Sequence, residues 1–181
     1  DLFEGHDPKV RIRELWHEPA VEANPDALEA LGSADFIILG PGDLFTSVIP
    51  NLIVGGIAEA VGSSLAKKIY ICNVMTKPGE TTDFSVRDHV REIVKYLKKD
   101  ILDYVLCSVT RFSEASLEKY AQKNQVPVKE EFPDRLREIT QAKILWADIA
   151  SEHELVRHDS VKLAAELKKI LENKAGILKK K

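Results

Sequence analysis

The protein is a chain of 181 residues, of which 44% are hydrophobic and 30% are charged, a composition typical of a folded domain rather than of a disordered chain. Its formal net charge of -3 gives no general basic surface for nucleic acid, and no stretch approaches the roughly 18 apolar residues of a membrane-spanning helix. The two cysteines, Cys72 and Cys107, lie in apolar runs, so we expect no disulfide framework and a reducing, cytoplasmic location.

The chain begins at Asp1, and the segment as far as Pro8 has neither the basic nor the apolar region of a signal peptide. We therefore expect this start to be a cut or processed end. At the other end, the lysine-rich residues 172–181 are expected to form a solvated tail.

Short apolar runs alternate with amphipathic segments, which predicts strands and helices in turn. Period-two alternation predicts the first strand, whereas continuous apolar runs predict central strands that are buried on both faces. The predicted strands are residues 10–16, 36–39, 68–74, 104–109, 126–129 and 143–149, and the predicted helices are residues 25–32, 47–61, 86–97, 113–123 and 160–171. This order predicts an α/β fold with a mostly parallel sheet covered on both faces. Trp16 and Trp146 are expected in the core.

The loop after the second predicted strand is suited to an anion, because ligands of such folds bind at the carboxyl ends of the strands. Gly40 and Gly42 let backbone N–H groups turn toward a phosphate, and Thr46 or Ser47 lies at the positive start of a helix. The loop matches neither the P-loop nor the dinucleotide motif. The alternative is a glycine turn with a capping Thr or Ser. The charge of Asp43 counts against direct phosphate contact unless a metal lies beside it or its side chain turns to solvent.

The loop after the third predicted strand is dense in polar residues. Asn73 can hydrogen-bond a donor–acceptor edge, Lys77 can offset phosphate charge, and Thr76 and Thr81 offer hydroxyls, with Glu80 in the same run. We therefore expect ligand contacts here, and the alternative is an ordinary Pro-Gly turn.

Other polar residues give weaker signals. His89 is either a ligand contact or a partly exposed surface residue, and Tyr120 is expected to pack on its helix. His153 and His158 lie among acidic residues, but their spacing matches no known metal site, so no metal site is expected. Cys107 has no neighbouring base, and no nucleophile with its base is visible, so catalytic residues are left unassigned.

Three blocks of the sequence, residues 34–52, 70–81 and 84–90, resemble the CofD/YvcK family of 2-phospho-L-lactate transferase-like proteins. They contain the runs Gly-Pro-Gly-Asp-Leu-Phe-Thr-Ser, Asn-Val-Met-Thr-Lys-Pro-Gly-Glu-Thr and Phe-Ser-Val-Arg-Asp-His-Val, and an Arg-His-Asp step precedes the last predicted helix. The second run looks like the YvcK branch. The resemblance implies a Rossmann-like three-layer sandwich.

The resemblance to the YvcK branch implies a cytoplasmic regulatory factor that binds UDP-N-acetylglucosamine or a similar nucleotide sugar and is linked to gluconeogenic growth and cell shape. It also implies ligand contacts by Arg157 and Tyr120. The alternative is the transferase branch, which moves a phospholactyl group from a guanosine diphosphate donor to a deazaflavin with Mg²⁺. We therefore expect a binding protein rather than an enzyme, with Mg²⁺ only as a companion of a nucleotide diphosphate, and we leave a homo-oligomer open.

The sequence departs from the family pattern at three positions: Asp43 stands where Ser is usual, Phe45 where Tyr is frequent and Lys77 where Gln is usual. The glycine-rich loop that follows the first strand of family members does not occur in the chain. We therefore expect the chain to be the carboxyl-terminal part of a CofD-like domain.

Overall fold

The computed structural model describes residues 11–130 and 133–178, with the side chains of the last helix described as far as Glu172. Four strands form a parallel sheet in the order β1-β2-β3-β4, and a short antiparallel pair, β5 and β6, follows. The strands are β1 Phe36–Leu39, β2 Lys67–Ile71, β3 Tyr104–Ser108, β4 Lys143–Ala147, β5 Ala150–Ser151 and β6 Arg157–His158. The predicted strands at 36–39, 68–74, 104–109 and 143–149 are confirmed as elements, with some shifted ends.

Three helices begin directly after capping side chains. Asn24 caps the first helix, Ser85 and Asp88 form a capping box, and the Asp159 carboxylate accepts the first N–H groups of the last helix. The helices are α1 Pro25–Ser33, α2 Ile49–Leu52, α3 Ile57–Ser63, α4 Val86–Tyr96, α5 Glu114–Ala121, α6 Pro133–Arg137 and α7 Ser160–Leu178. A π-helical turn covers Leu44–Val48.

Side chains of the central strands alternate between two cores, one on each face of the sheet. Tyr70 of β2 and Ile93 of α4 belong to the larger core, whereas Ile71 of β2 and Leu106 of β3 pack with Leu163 of α7. Each fully buried apolar side chain of this size contributes about 1.5–3 kcal/mol of transfer free energy. The two cores make the fold a three-layer α/β sandwich, as expected.

The predicted strand at residues 10–16 is wrong in its described part, and Val10 lies outside the described residues. Residues 11–16 form no strand; instead Ile12 and Leu15 pack against the larger core, and the Leu15 N–H donates to the Tyr96 hydroxyl at 2.9 Å. The alternating pattern therefore reflects one-sided packing without strand pairing. Trp16 is 70% exposed, so its expected place in the core is also wrong, whereas Trp146 packs partly buried against the core.

Three further predictions are corrected. The helix expected over residues 47–61 is divided into the π-helical turn, α2 and α3, with Gly56 at a φ of +88° before α3. Residues 126–129 form only isolated bridges to Met75 and Ser85, because no continuous strand lies beside them. β1 was expected in the sheet centre but lies at one end of the described sheet, where Ile38 is 43% exposed.

Replacing Gly32 with alanine is expected to stabilise the protein by about 0.5–1 kcal/mol. Gly32 lies inside α1, where a Cβ would meet no atom within 4 Å, and alanine restricts the unfolded chain more than glycine does. Urea unfolding of the variant measures this change. Gly40→Ala is the opposite control, since Gly40 has a φ of +85° and a Cβ there would lie 3.1 Å from the Ile71 carbonyl oxygen. Equal effects of the two substitutions would contradict the prediction.

Candidate functional site

A cleft of about 490 Å³ lies at the carboxyl ends of β1 and β2. The loops that follow these two strands line it together with side chains from α5 and from the β5–β6 pair. The lining residues are Pro41, Gly42, Asp43, Asn73, Val74, Met75, Thr76, Lys77, Tyr120, Gln125, Val156, Arg157 and His158. This is the edge of the sheet where parallel α/β folds bind ligands.

The cleft brings together part of the predicted site. Its lining includes these predicted residues: Gly42, Asn73, Thr76, Lys77, Tyr120 and Arg157. The lining does not include these others: Gly40, Thr46, Ser47, Glu80 and Thr81. Two lining residues, Gln125 and His158, were not among the predicted site residues. The only signal for them was their nearness in sequence to the predicted strand at 126–129 and to Arg157.

Glu80 lies behind the cleft wall rather than in the cleft. Its side chain is fully buried; its two carboxylate oxygens accept hydrogen bonds from the Phe45 N–H and the Thr46 hydroxyl, each at 3.3 Å. These donors belong to the π-helical turn, whose positive start was expected to hold a phosphate. The carboxylate of Glu80 already fills the position that an anion would take at this turn.

Lys77 connects the two loops of the cleft wall. Its Nζ lies 2.6 Å from Asp43 Oδ2 and 2.7 Å from Glu80 Oε1. Burial lowers the pKa of Lys77, but hydrogen bonds to Asp43 and to Glu80 outweigh burial and raise the pKa above its usual value. The ammonium is therefore a charged bridge, with its side chain 36% exposed.

Asn73 joins the same two loops at a second point and offers an acceptor. Its Nδ2 donates to the Gly42 carbonyl at 3.0 Å, while its Oδ1 is buried with no hydrogen-bond partner among the described residues. A buried acceptor without a donor costs about 1–3 kcal/mol. Asn73 is itself a lining residue of the cleft, so this acceptor lies at the cleft wall.

The remaining polar residues of the two loops hold the backbone. The Thr76 hydroxyl accepts from the Val126 N–H at 3.0 Å and the Thr81 hydroxyl accepts from the Lys77 N–H at 2.8 Å, and both threonines are buried. The Ser47 N–H donates to the Asp43 carbonyl at 2.8 Å. Contacts of these hydroxyls with a ligand stay a prediction.

Tyr120 of α5 and Arg157 of β6 supply a further part of the cleft lining. The Tyr120 hydroxyl accepts from the Val156 N–H at 2.8 Å and thereby fixes the segment that leads into β6. The Arg157 side chain is 65% exposed, with its guanidinium 3.8 Å from the Glu154 carboxylate. At that distance and exposure the ion pair is weak, so the guanidinium can reach an anion.

Two histidines differ in their relation to the cleft. His158 lines it and donates from Nε2 to the Cys72 carbonyl at 3.1 Å; burial lowers its pKa more than this hydrogen bond raises it. Both expectations for His89 are wrong, because His89 is 0% exposed and does not line the cleft. Its Nδ1 donates to the Ser85 carbonyl, and burial lowers its pKa to about 4.

Acidic residues, histidines and cysteines do not cluster in threes at a possible metal position anywhere in residues 11–130 and 133–178. Across the same ranges, no helix combines the length and the apolar character needed to cross a membrane. The charged and polar side chains that line the cleft include the Arg157 and Lys77 cations, the Asp43 carboxylate, the Asn73 amide and the Tyr120 phenol.

The fold and the cleft define an α/β protein with a polar cleft at the carboxyl ends of a parallel sheet. The family model described as 2-phospho-L-lactate transferase CofD matches residues 4–150, and the chain belongs to this family. The chain is similar to a Bacillus halodurans protein of known crystal structure, with a TM-score of 0.82 and 34% sequence identity. The match covers 88% of this chain and 52% of the Bacillus halodurans chain.

Curated relatives point to the gluconeogenesis-factor branch of the family. The chain is 33% identical over 162 residues to the gluconeogenesis factor of Bacillus subtilis, covering 89% of this chain and 51% of the relative. A relative from Thermotoga maritima is 40% identical over 162 residues, covering 88% of this chain and 51% of its own length. The chain thus spans about half the length of these relatives.

Proposed function

We propose that the cleft binds a nucleotide sugar such as UDP-N-acetylglucosamine and that the protein acts as a regulatory gluconeogenesis factor. The observation that carries this proposal is the meeting of Arg157, Tyr120 and the unpartnered Asn73 Oδ1 at one cleft. The Arg157 guanidinium suits a diphosphate, the Tyr120 ring can stack on a base or sugar, and Asn73 can accept from a uracil N–H or sugar hydroxyl.

Relatives named gluconeogenesis factor support the regulatory part of the proposal. We extend it to growth on gluconeogenic carbon sources and to cell shape, which the resemblance to the YvcK branch implies. A cytoplasmic location accords with the two buried, free cysteines. Mg²⁺ enters the proposal only as an ion carried by the diphosphate, because Mg²⁺ is commonly held by phosphate oxygens with one or two carboxylates.

Arg157→Ala is expected to weaken UDP-N-acetylglucosamine binding by about 10-fold or more, since a charge-assisted hydrogen bond is worth about 1.5–3 kcal/mol. Isothermal titration of the intact protein measures the dissociation constant. Arg111→Ala is the matched control, because Arg111 is also an exposed arginine with a loose ion pair to a glutamate and does not line the cleft. Equal affinities for the two variants would remove Arg157 from the site.

A second candidate function follows from the family model, which is described as a phospholactate transferase. In this case the same diphosphate position would hold a guanosine diphosphate donor, and a phospholactyl group would pass to a deazaflavin. A product assay with guanosine-diphosphate-activated lactate, a deazaflavin and Mg²⁺ separates the two candidates. Turnover by the intact protein would favour the transferase, and its absence together with nucleotide-sugar binding would favour the regulatory factor.

A further inference from the structure

The ion cluster of Asp43, Lys77 and Glu80 crosses the wall of the cleft. Asp43 belongs to the loop after β1, whereas Lys77 and Glu80 belong to the loop after β2, so the Lys77 ammonium holds the two loops together. Asp43 and Lys77 line the cleft, and Glu80 lies behind it. Asp43 and Lys77, but not Glu80, are therefore in direct reach of a ligand that occupies the cleft.

The two carboxylates have different roles. Glu80 is buried and fixed by donors of the π-helical turn, so Lys77 is the countercharge that a buried carboxylate requires. The Asp43 side chain is 45% exposed and does not cap the turn that it precedes. The Asp43 backbone carbonyl, not its carboxylate, accepts from Ser47 and Val48. Rotation of the Asp43 carboxylate away from Lys77 would leave the turn intact.

The charge balance of the cluster follows from these roles. Lys77 and Glu80 neutralise each other, and Asp43 leaves one net negative charge on the cleft wall. An anionic ligand at this wall is repelled by Asp43 and must also displace it to reach Lys77. The repulsion grows with the charge that the ligand brings.

A free nucleoside diphosphate and a nucleoside diphosphate sugar differ in the negative charge of the diphosphate. A terminal phosphate has a second pKa near 6, so it carries about one more negative charge at neutral pH than a phosphate esterified on both sides. Resting on the proposed function, we propose that Asp43 is a specificity-determining residue. Its carboxylate masks Lys77 and favours a nucleoside diphosphate sugar over the free nucleoside diphosphate.

Asp43→Asn tests this role, with UDP and UDP-N-acetylglucosamine titrated into the intact protein by calorimetry. The variant is expected to bind UDP at least 10-fold more tightly and UDP-N-acetylglucosamine only about 3-fold more tightly, so that discrimination falls. Asp43→Ser should also tighten the binding of both ligands, and it should tighten UDP binding more, as Asp43→Asn does. Asp148→Asn is the matched control, since Asp148 also pairs with a lysine but does not line the cleft. Thermal unfolding of each variant verifies that it is folded.

Each other outcome overturns a distinct statement. Equal changes for UDP and UDP-N-acetylglucosamine, or no change, would overturn the specificity role while leaving nucleotide-sugar binding in place. Weaker binding by Asp43→Asn in Mg²⁺ but not in a chelator would make Asp43 a metal ligand instead. If neither nucleotide bound to the wild type or to any variant, the proposed function would fail, and this inference with it.

Discussion

Replacing Glu80 with alanine is expected to lower the free energy of unfolding by about 2–4 kcal/mol, because each buried donor that is left without an acceptor costs about 1–3 kcal/mol. The carboxylate of Glu80 is fully buried and receives the Phe45 N–H, the Thr46 hydroxyl and the Lys77 ammonium. Without this carboxylate, the buried Phe45 N–H has no acceptor, and the loop after β2 loses its hydrogen bonds to the π-helical turn. Urea unfolding at neutral pH measures the change.

Two further variants separate charge from hydrogen bonding at this position. Glu80→Gln keeps an acceptor for the turn and leaves Lys77 with Asp43, so a smaller loss of about 1–3 kcal/mol is expected. Glu59→Ala is the exposed control, because the Glu59–Lys98 pair lies in solvent and its removal should change stability far less. If Glu80→Ala were as stable as Glu59→Ala, the buried cluster would not hold the loops.

The second large effect is a loss of stability in acid that is due to His89. Burial lowers the pKa of His89 to about 4 from its usual value of 6.5, so the unfolded chain binds more protons than the folded one between these values. The contribution is fully present above pH 6.5 and is lost as the pH falls toward 4. From pH 7 to pH 5 the free energy of unfolding should fall by about 2 kcal/mol through this group.

His89→Leu isolates this contribution, because leucine has a similar volume and does not titrate. Urea unfolding at pH 7 and pH 5 should show a smaller pH dependence for the variant than for the wild type, with a difference of about 2 kcal/mol. His158, whose pKa is also lowered, contributes in the same direction in both proteins. Identical pH dependence in wild type and variant would mean that His89 is protonated as easily in the folded state as in the unfolded one.

The sequence predicted those helices and strands that are determined by residues close together in the chain. The predicted helices at 25–32 and 86–97 begin directly after Asn24 and the Ser85–Asp88 box, because a cap is satisfied within three residues. The four apolar runs predicted the parallel sheet. Residues 11–16 misled because alternation shows that one side of a segment is buried, whereas strand formation also requires a paired neighbour.

The candidate site was harder to predict because its contacts join distant loops. Glu80 looked like a ligand contact in a polar, Pro-Gly-containing run, and its burial depends on Phe45 and Thr46, 35 and 34 residues away. His89 was expected as a ligand contact or a partly exposed residue, but it is fully buried and its ring packs edge-on against Phe84. Asn73, Tyr120 and Arg157 line the same cleft, but they come from three separate segments that only the folded sheet brings together.

The double connection between the two loops, Asn73 to Gly42 and Lys77 to Asp43, has a thermodynamic consequence for recognition. A wall tied at two points loses little conformational freedom when a ligand arrives, whereas the exposed Arg157 side chain must be immobilised. The entropic penalty of recognition is therefore concentrated on one side of the cleft. Binding enthalpy should come from both walls, and ordering should be confined to the arginine side.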